Sequence, residues 1–226
     1  MPHCRLMSFL PPFIYVIAIS FLVSLIVFFK TGIPYAFLRF FTPFLLVTLI
    51  AEITAYYMMS MRKPNIFIYN FFSTFEICFY LLIISHIISN RRVRKITRVT
   101  IGVYALLAIS NILFIQKIMT FHTITYSLGC LLVVIFCIYY FYELFRLPKS
   151  GKLVNNPAFW ICSGLLFFYC CGFPLFAAIN FWSAGISRPV LYSLGKIVII
   201  LNIFLYSLFI IAFLCARTPK YTLSSS

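Results

Sequence analysis

Residues 10–29 read LPPFIYVIAISFLVSLIVFF, twenty residues without a charge, closed by Lys30. At 1.5 Å of rise per residue a helix of this length crosses the roughly 30 Å hydrocarbon core of a bilayer. The run is too long for the core of a signal peptide and no small-residue cleavage site follows it. It is therefore read as a retained first membrane span. The rest of the chain repeats the pattern: long apolar runs recur with short connections, which favours helices over the alternating strands of about ten residues used by membrane barrels. The expected spans lie at about 10–29, 36–60, 66–89, 99–116, 120–144, 158–182 and 189–215.

Composition agrees with this reading. Of the 226 residues 64% are apolar, 20% aromatic and 9% charged, against about 45–50% apolar and 25% charged in soluble domains. A soluble enzyme, a disordered chain and a small disulfide scaffold are excluded. The expected fold is all-α, a polytopic integral membrane bundle of seven transmembrane helices forming one domain over 1–226. Function is then expected inside the bundle.

The net charge of +15 comes from 18 Lys and Arg against three acids. Counted by loops, twelve of the cations fall on one side (Lys30, Arg39, the cluster at 91–98, Arg146, Lys149, Lys152, Arg217, Lys220) and five on the other (Arg5, Arg62, Lys63, Lys117, Arg188). The positive-inside rule then places the N-terminus outside and the C-terminus in the cytoplasm. The basic stretch Ser89 to Arg98 reads as a loop and an orientation signal, so no nucleic acid is expected as a partner. Of eight cysteines, seven lie in or at the ends of apolar runs, and no Cys-x-x-Cys pair exists, so neither a zinc nor a redox site is expected.

Ionisable groups within spans are costly and are functional candidates by default. Glu52 and Lys196 stand roughly 12 Å and 10 Å from the same end by helix rise, and an ion pair between them is one way to accommodate both. Glu76 falls near the midplane. A lone carboxyl there serves either as a neutral bridge between helices or as a ligand- or proton-linked group, with Ser73 and Tyr80 on its helix face able to bond it. Asn111, His122, Tyr126 and Asn180 fall in the same half as Glu52 and Lys196, which suggests an outward-facing polar pocket. Gly172-Phe173-Pro174 in span six is a hinge candidate, because Pro174 removes a helix bond. Glu143 is expected to pair with Arg146, three residues on.

Two chemistries fail on the same residues. His3, His86 and His122 fall too far apart along the spans to share a metal, and the chain has no Asp for a Ser-His-Asp set. Retinal binding is disfavoured because Lys196 lies away from mid-helix and the tryptophans, Trp160 and Trp182, fall at span ends.

The segments NILFIQ (111–116), YYFYELF (139–145) and NPAFWICSGLLFFY (156–169) resemble small uncharacterised multi-span proteins of Bacteroidota. They are also similar to membrane modules that precede histidine kinases in those bacteria. The likeness covers about a quarter of the chain and implies a sensing role in a bacterial inner membrane. No binding residue carries over from it. With no kinase segment in these residues, the expected output is a separate cytoplasmic signalling protein. The expected partners are thus the lipid bilayer, that protein and further copies of the chain, with no cofactor. The expected function is a receptor-like, non-enzymatic sensor; a proton- or ion-coupled small-solute transporter and a structural membrane subunit are the alternatives.

Overall fold

A computed structural model describes residues 10–31, 35–116, 119–146, 153–181 and 188–216. The helices are α1 (Pro12–Thr31), α2 (Ala36–Arg39), α3 (Phe41–Ser60), α4 (Ile66–Ile87), α5 (Arg91–Ser110), α6 (Thr123–Arg146), α7 (Pro157–Phe181) and α8 (Arg188–Ala216). A π-helical turn, Asn111–Ile115, continues α5, and a 3-10 turn, Leu153–Asn155, precedes α7. Among the described residues seven helices are long and apolar enough to cross a membrane, with α2 and α3 acting as one span. Arg5, Lys117, Lys149, Lys152, Trp182, Arg217, Lys220 and the side chains of Lys30, Asn180 and Arg188 lie outside the described residues.

α1 packs on α3 and α8, α8 on α7, α7 on α6, and α6 on α4, which also carries α5 and touches α3. Directions follow from the contacts at the ends. His122, ahead of α6, bonds Asn70 early in α4, and Glu143 late in α6 bonds Ser89 just after α4, so α4 and α6 run parallel. The end where Arg91, Arg92, Arg94, Lys95 and Arg146 collect is called the basic end below.

Local signals explain the boundaries. Pro12 occupies the first turn of α1, where its missing N–H costs nothing. Hydroxyls within the apolar helices turn back on their own backbone, as Ser24 does to Phe21 O (2.7 Å), Thr48 to Phe44 O (3.0 Å) and Ser207 to Ile203 O (2.7 Å). The stretch expected as a basic loop at 89–98 is helical from Arg91, eight residues before the expected start of that span. Asn90 explains the difference: its Oδ1 accepts from the backbone N–H of Arg92 (2.9 Å) and Val93 (3.4 Å), a helix cap that fixes the start.

The core at the basic end is built on Phe41. Its ring meets Phe44, Phe79, Phe209 and Phe213 at centroid distances of 6.1, 5.2, 5.1 and 6.2 Å, joining α3, α4 and α8. Gly172 is buried and Pro174 exposed, and α7 continues as helix through Pro174.

Candidate functional site

α4 carries the site because it faces several other helices at once. Its Glu76 is half-buried at mid-helix. One turn further, the Tyr80 hydroxyl donates to Glu76 Oε1 at 3.1 Å, the i+4 neighbour on the same face. Tyr80 is wholly enclosed, its ring against Phe44 of α3 (5.3 Å), Tyr169 of α7 (6.0 Å) and Phe209 of α8 (6.1 Å). Its hydroxyl is also bonded with that of Tyr206 on α8, which in turn bonds Thr48 on α3.

Four more tyrosines come within electrostatic reach of the Glu76 carboxylate: Tyr104 on α5, Tyr126 on α6, Tyr169 on α7 and Tyr206 on α8. With Tyr80 they make five phenols from five helices around one acid. Tyr206 is committed to Tyr80 and Thr48, and Tyr126 is bonded with Cys130. The hydroxyls of Tyr104 and Tyr169 are buried and have no hydrogen-bond partner among the described residues. Tyr104 reaches its place because Gly129 on α6 has no side chain. A Cβ there would lie 2.8 Å from the Tyr104 Oη and 2.5 Å from Ile77 Cδ1, next along the chain from Glu76.

Glu52 lies within electrostatic reach of Glu76, and the Tyr69 hydroxyl donates to its Oε2 at 3.2 Å. The structure therefore brings Glu52 together with Tyr69 and Glu76. Lys196 stands exposed on α8.

Asn111 and His122 belong to a second polar group, at the end opposite the basic one. Asn70 donates to Thr120 O (2.9 Å) and accepts from His122 N (3.1 Å). The Asn111 amide donates to Gln116 Oε1 (2.7 Å) and to Thr125 Oγ1 (3.2 Å). The His122 ring is held on both sides, Nε2 by Ser73 Oγ (2.8 Å) and Nδ1 by Thr125 Oγ1 (2.9 Å). These side chains are bonded mainly to one another. The arrangement latches the π-helical turn and the start of α6 onto α4.

At the basic end, Glu143 does not take the Arg146 partner expected of it. Its carboxylate accepts the backbone N–H of Ser89 and of Asn90, both at 2.8 Å, so it closes the α4–α5 junction from α6. The Arg146 guanidinium donates to the Tyr142 hydroxyl at 2.8 Å, with its carbon 5.8 Å from that ring's centre. Residue spacing cannot reveal this, because the acceptor's partners are backbone groups more than fifty positions away.

Of the residues singled out from the sequence, Glu52 and Glu76 share one centre and Asn111 and His122 another, with Tyr126 between them, its ring 6.3 Å from that of His122 and its hydroxyl within electrostatic reach of Glu76. Tyr69, Tyr104, Tyr169 and Tyr206 were missed. Their only signal is that they are tyrosines inside apolar runs, where a phenol needs a partner for its hydroxyl. Among the described residues no three His, Cys, Asp or Glu side chains are placed to hold a metal ion. Compared with known protein families, curated proteins and solved structures, the chain matches none.

Proposed function

We propose that the protein is a receptor-like membrane sensor whose responsive group is Glu76. The observation that carries the reading is the convergence of tyrosines from α4, α5, α6, α7 and α8 on that one carboxyl. A change of charge or ligation at Glu76 alters the field felt by five helices at once. A group that only glued two helices together would need a single partner. The charge asymmetry of the loops supports a cytoplasmic basic end, an outer N-terminus and a cytoplasmic C-terminus, and the resemblance to bacterial sensor modules supports an inner-membrane location. In this reading the latch around His122 holds the outer end while the basic ends of the helices move against a separate cytoplasmic partner.

The test uses spin labels on the exposed positions Lys95 of α5 and Leu214 of α8, in nanodiscs, in a background lacking the exposed native cysteines. Titration from pH 8 to pH 5 is expected to change the label distance in the otherwise native chain and to leave it fixed in Glu76→Gln. A change that persists in Glu76→Gln defeats the proposal.

A proton-coupled small-solute transporter is the second reading, favoured by one further observation: Glu52 on α3 is within electrostatic reach of Glu76. Two acids on neighbouring helices suit stepwise proton transfer. Solute uptake into proteoliposomes that follows a pH gradient and is lost in Glu76→Gln would favour transport over sensing.

A further inference from the structure

We infer that the basic end of α5 holds one anionic phospholipid, its phosphate at Arg92 and Lys95 and an acyl chain in the groove that runs on from them. The groove measures about 490 Å³, within the range of sites that hold small molecules, and follows one face of α5. Its residues recur at helix spacings of three and four, so charge and apolar wall lie on one line, with Arg92 and Lys95 at the head and Ile96, Val99 and Val103 beyond. The Thr100 hydroxyl among them donates to Ile96 O at 3.0 Å and asks for no polar partner from outside.

Depth separates the two parts of the groove. The span Arg91–Ile115 has 25 residues, about 37 Å of helix by rise against roughly 30 Å of hydrocarbon. About five residues therefore stand among the head groups, and charge places those five at 91–95. Lys95 then meets the phosphate layer, and the acyl layer begins at Ile96, where the groove turns apolar.

The occupant has to match both parts. Arg92 and Lys95 are exposed, and among the described residues neither side chain has a hydrogen-bond or ion-pair partner. Glu143, the acid at this end, is committed to the backbone N–H of Ser89 and Asn90. Arg94 is committed as well, donating to the Ile88 carbonyl at 3.1 and 2.8 Å. A guanidinium and an ammonium with no acid beside them suit a phosphate, the first as a planar fork and the second as a point charge. The choline of a zwitterionic lipid finds no carboxylate to pair with there. A soluble acidic peptide would match the cations but not the apolar wall at acyl depth.

The test is native mass spectrometry of the full chain in neutral detergent, with equal amounts of phosphatidylglycerol and phosphatidylcholine of the same acyl chains. One retained phosphatidylglycerol per chain is expected, in preference to phosphatidylcholine. Arg92→Gln with Lys95→Gln is expected to weaken its binding roughly thirtyfold, about fivefold for each cation facing an anionic head group. Val99→Trp fills the groove at unchanged charge and is expected to weaken it as well. Arg91→Gln with Arg98→Gln removes the same charge about a third of a turn round the helix axis and is expected to keep the lipid. All these side chains are exposed, so the variants are expected to melt with the native chain in phosphatidylcholine nanodiscs. The spin label at Lys95 that reports on Glu76 removes one of the two cations, so that distance change and this lipid are tested independently. Equal losses in the two double variants make the attraction diffuse and overturn the site, as does equal retention of the two lipids or full binding in Val99→Trp. Displacement of the lipid by inorganic phosphate or by hexaglutamate also overturns it, making the ligand a free phosphate or an acidic peptide.

Discussion

At Ser73 one hydroxyl decides the protonation of a buried ring. Its proton goes to the Tyr69 carbonyl at 2.5 Å, so toward His122 it is an acceptor, and Nε2 must carry the hydrogen. Nδ1 is then the lone-pair nitrogen and accepts from Thr125 at 2.9 Å, a closer acceptor for that hydroxyl than the His122 carbonyl at 3.3 Å, while the Thr125 oxygen accepts from Asn111. Neutral His122 thereby has both nitrogens satisfied at full burial. Ser73→Ala leaves an imidazole N–H buried without an acceptor, which costs about 1–3 kcal/mol. The expected result is a lower melting temperature and faster exchange of the His122 amide, with exchange at Ser89 unchanged. The sequence places Ser73 on the face of Glu76, one turn away, and that much is correct. That the hydroxyl serves His122 depends on α6 arriving beside α4, which no local spacing encodes. The same holds for the tyrosines: Tyr80 is found by the i+4 rule, whereas Tyr169 and Tyr206 belong to helices apolar on nearly every face, and Tyr104 to the apolar second half of α5, whose charges are confined to residues 91–98. Without a polar stripe there is no signal for which way such a helix is turned.

At the scale of elements, the junctions carry the polar chemistry that the spans lack. The α3–α4 turn is closed by a pair of backbone bonds, Arg62 N–H to Met59 O (3.0 Å) and Lys63 N–H to Met58 O (2.9 Å), with Arg62 at φ 57°. This is a Schellman ending, and its left-handed residue is usually glycine because a Cβ is strained there. Asn65 ties the turn back to α3 through the Ala55 carbonyl at 3.2 Å. Arg62→Gly should therefore stabilise the folded chain by about 1 kcal/mol, somewhat offset by the greater freedom of glycine when unfolded. Thermal unfolding in detergent checks this, and a clear loss of stability would mean that the arginine side chain holds something the backbone does not explain. The α4–α5 junction is the counterpart at the other end. There charge density suggests a loop, and the structure shows a capped helix, because Asn90 and Glu143 satisfy the backbone groups that a chain reversal leaves open. An asparagine just before a run of helix formers is a readable start signal, and the arginines that follow are helix formers as well as orientation signals.

For the whole molecule, the apolar effect that folds soluble proteins gives little net drive, because lipid tails are as apolar as the core. Association rests on packing and on hydrogen bonds between helices. The Phe41 cluster and the Tyr80–Tyr206–Thr48 bonds occupy adjacent layers of α3, α4 and α8 and supply one contribution each. That seven helices among the described residues are long and apolar enough to span a membrane is legible from the apolar runs; that α4 meets α3, α5, α6, α7 and α8 is not, since packing order depends on shape rather than hydropathy. Phe41→Ala opens a cavity bordered by Phe44, Phe79, Phe209 and Phe213. In soluble cores such a change costs about 3–5 kcal/mol, and here the lower end applies, because lost dispersion contacts count while transfer from water does not. Phe114, 83% exposed, is the control: Phe114→Ala removes a ring of the same size from an exposed face. Phe41→Ala is expected to lower the melting temperature well beyond Phe114→Ala and to weaken the pH-driven distance change between α5 and α8, because the Tyr80–Tyr206 link loses the packing layer beneath it. Equal melting temperatures for the two variants would show that this layer does not hold the bundle. A destabilised Phe41→Ala whose distance change stays intact would show that the aromatic layer supports the fold without transmitting the state of Glu76.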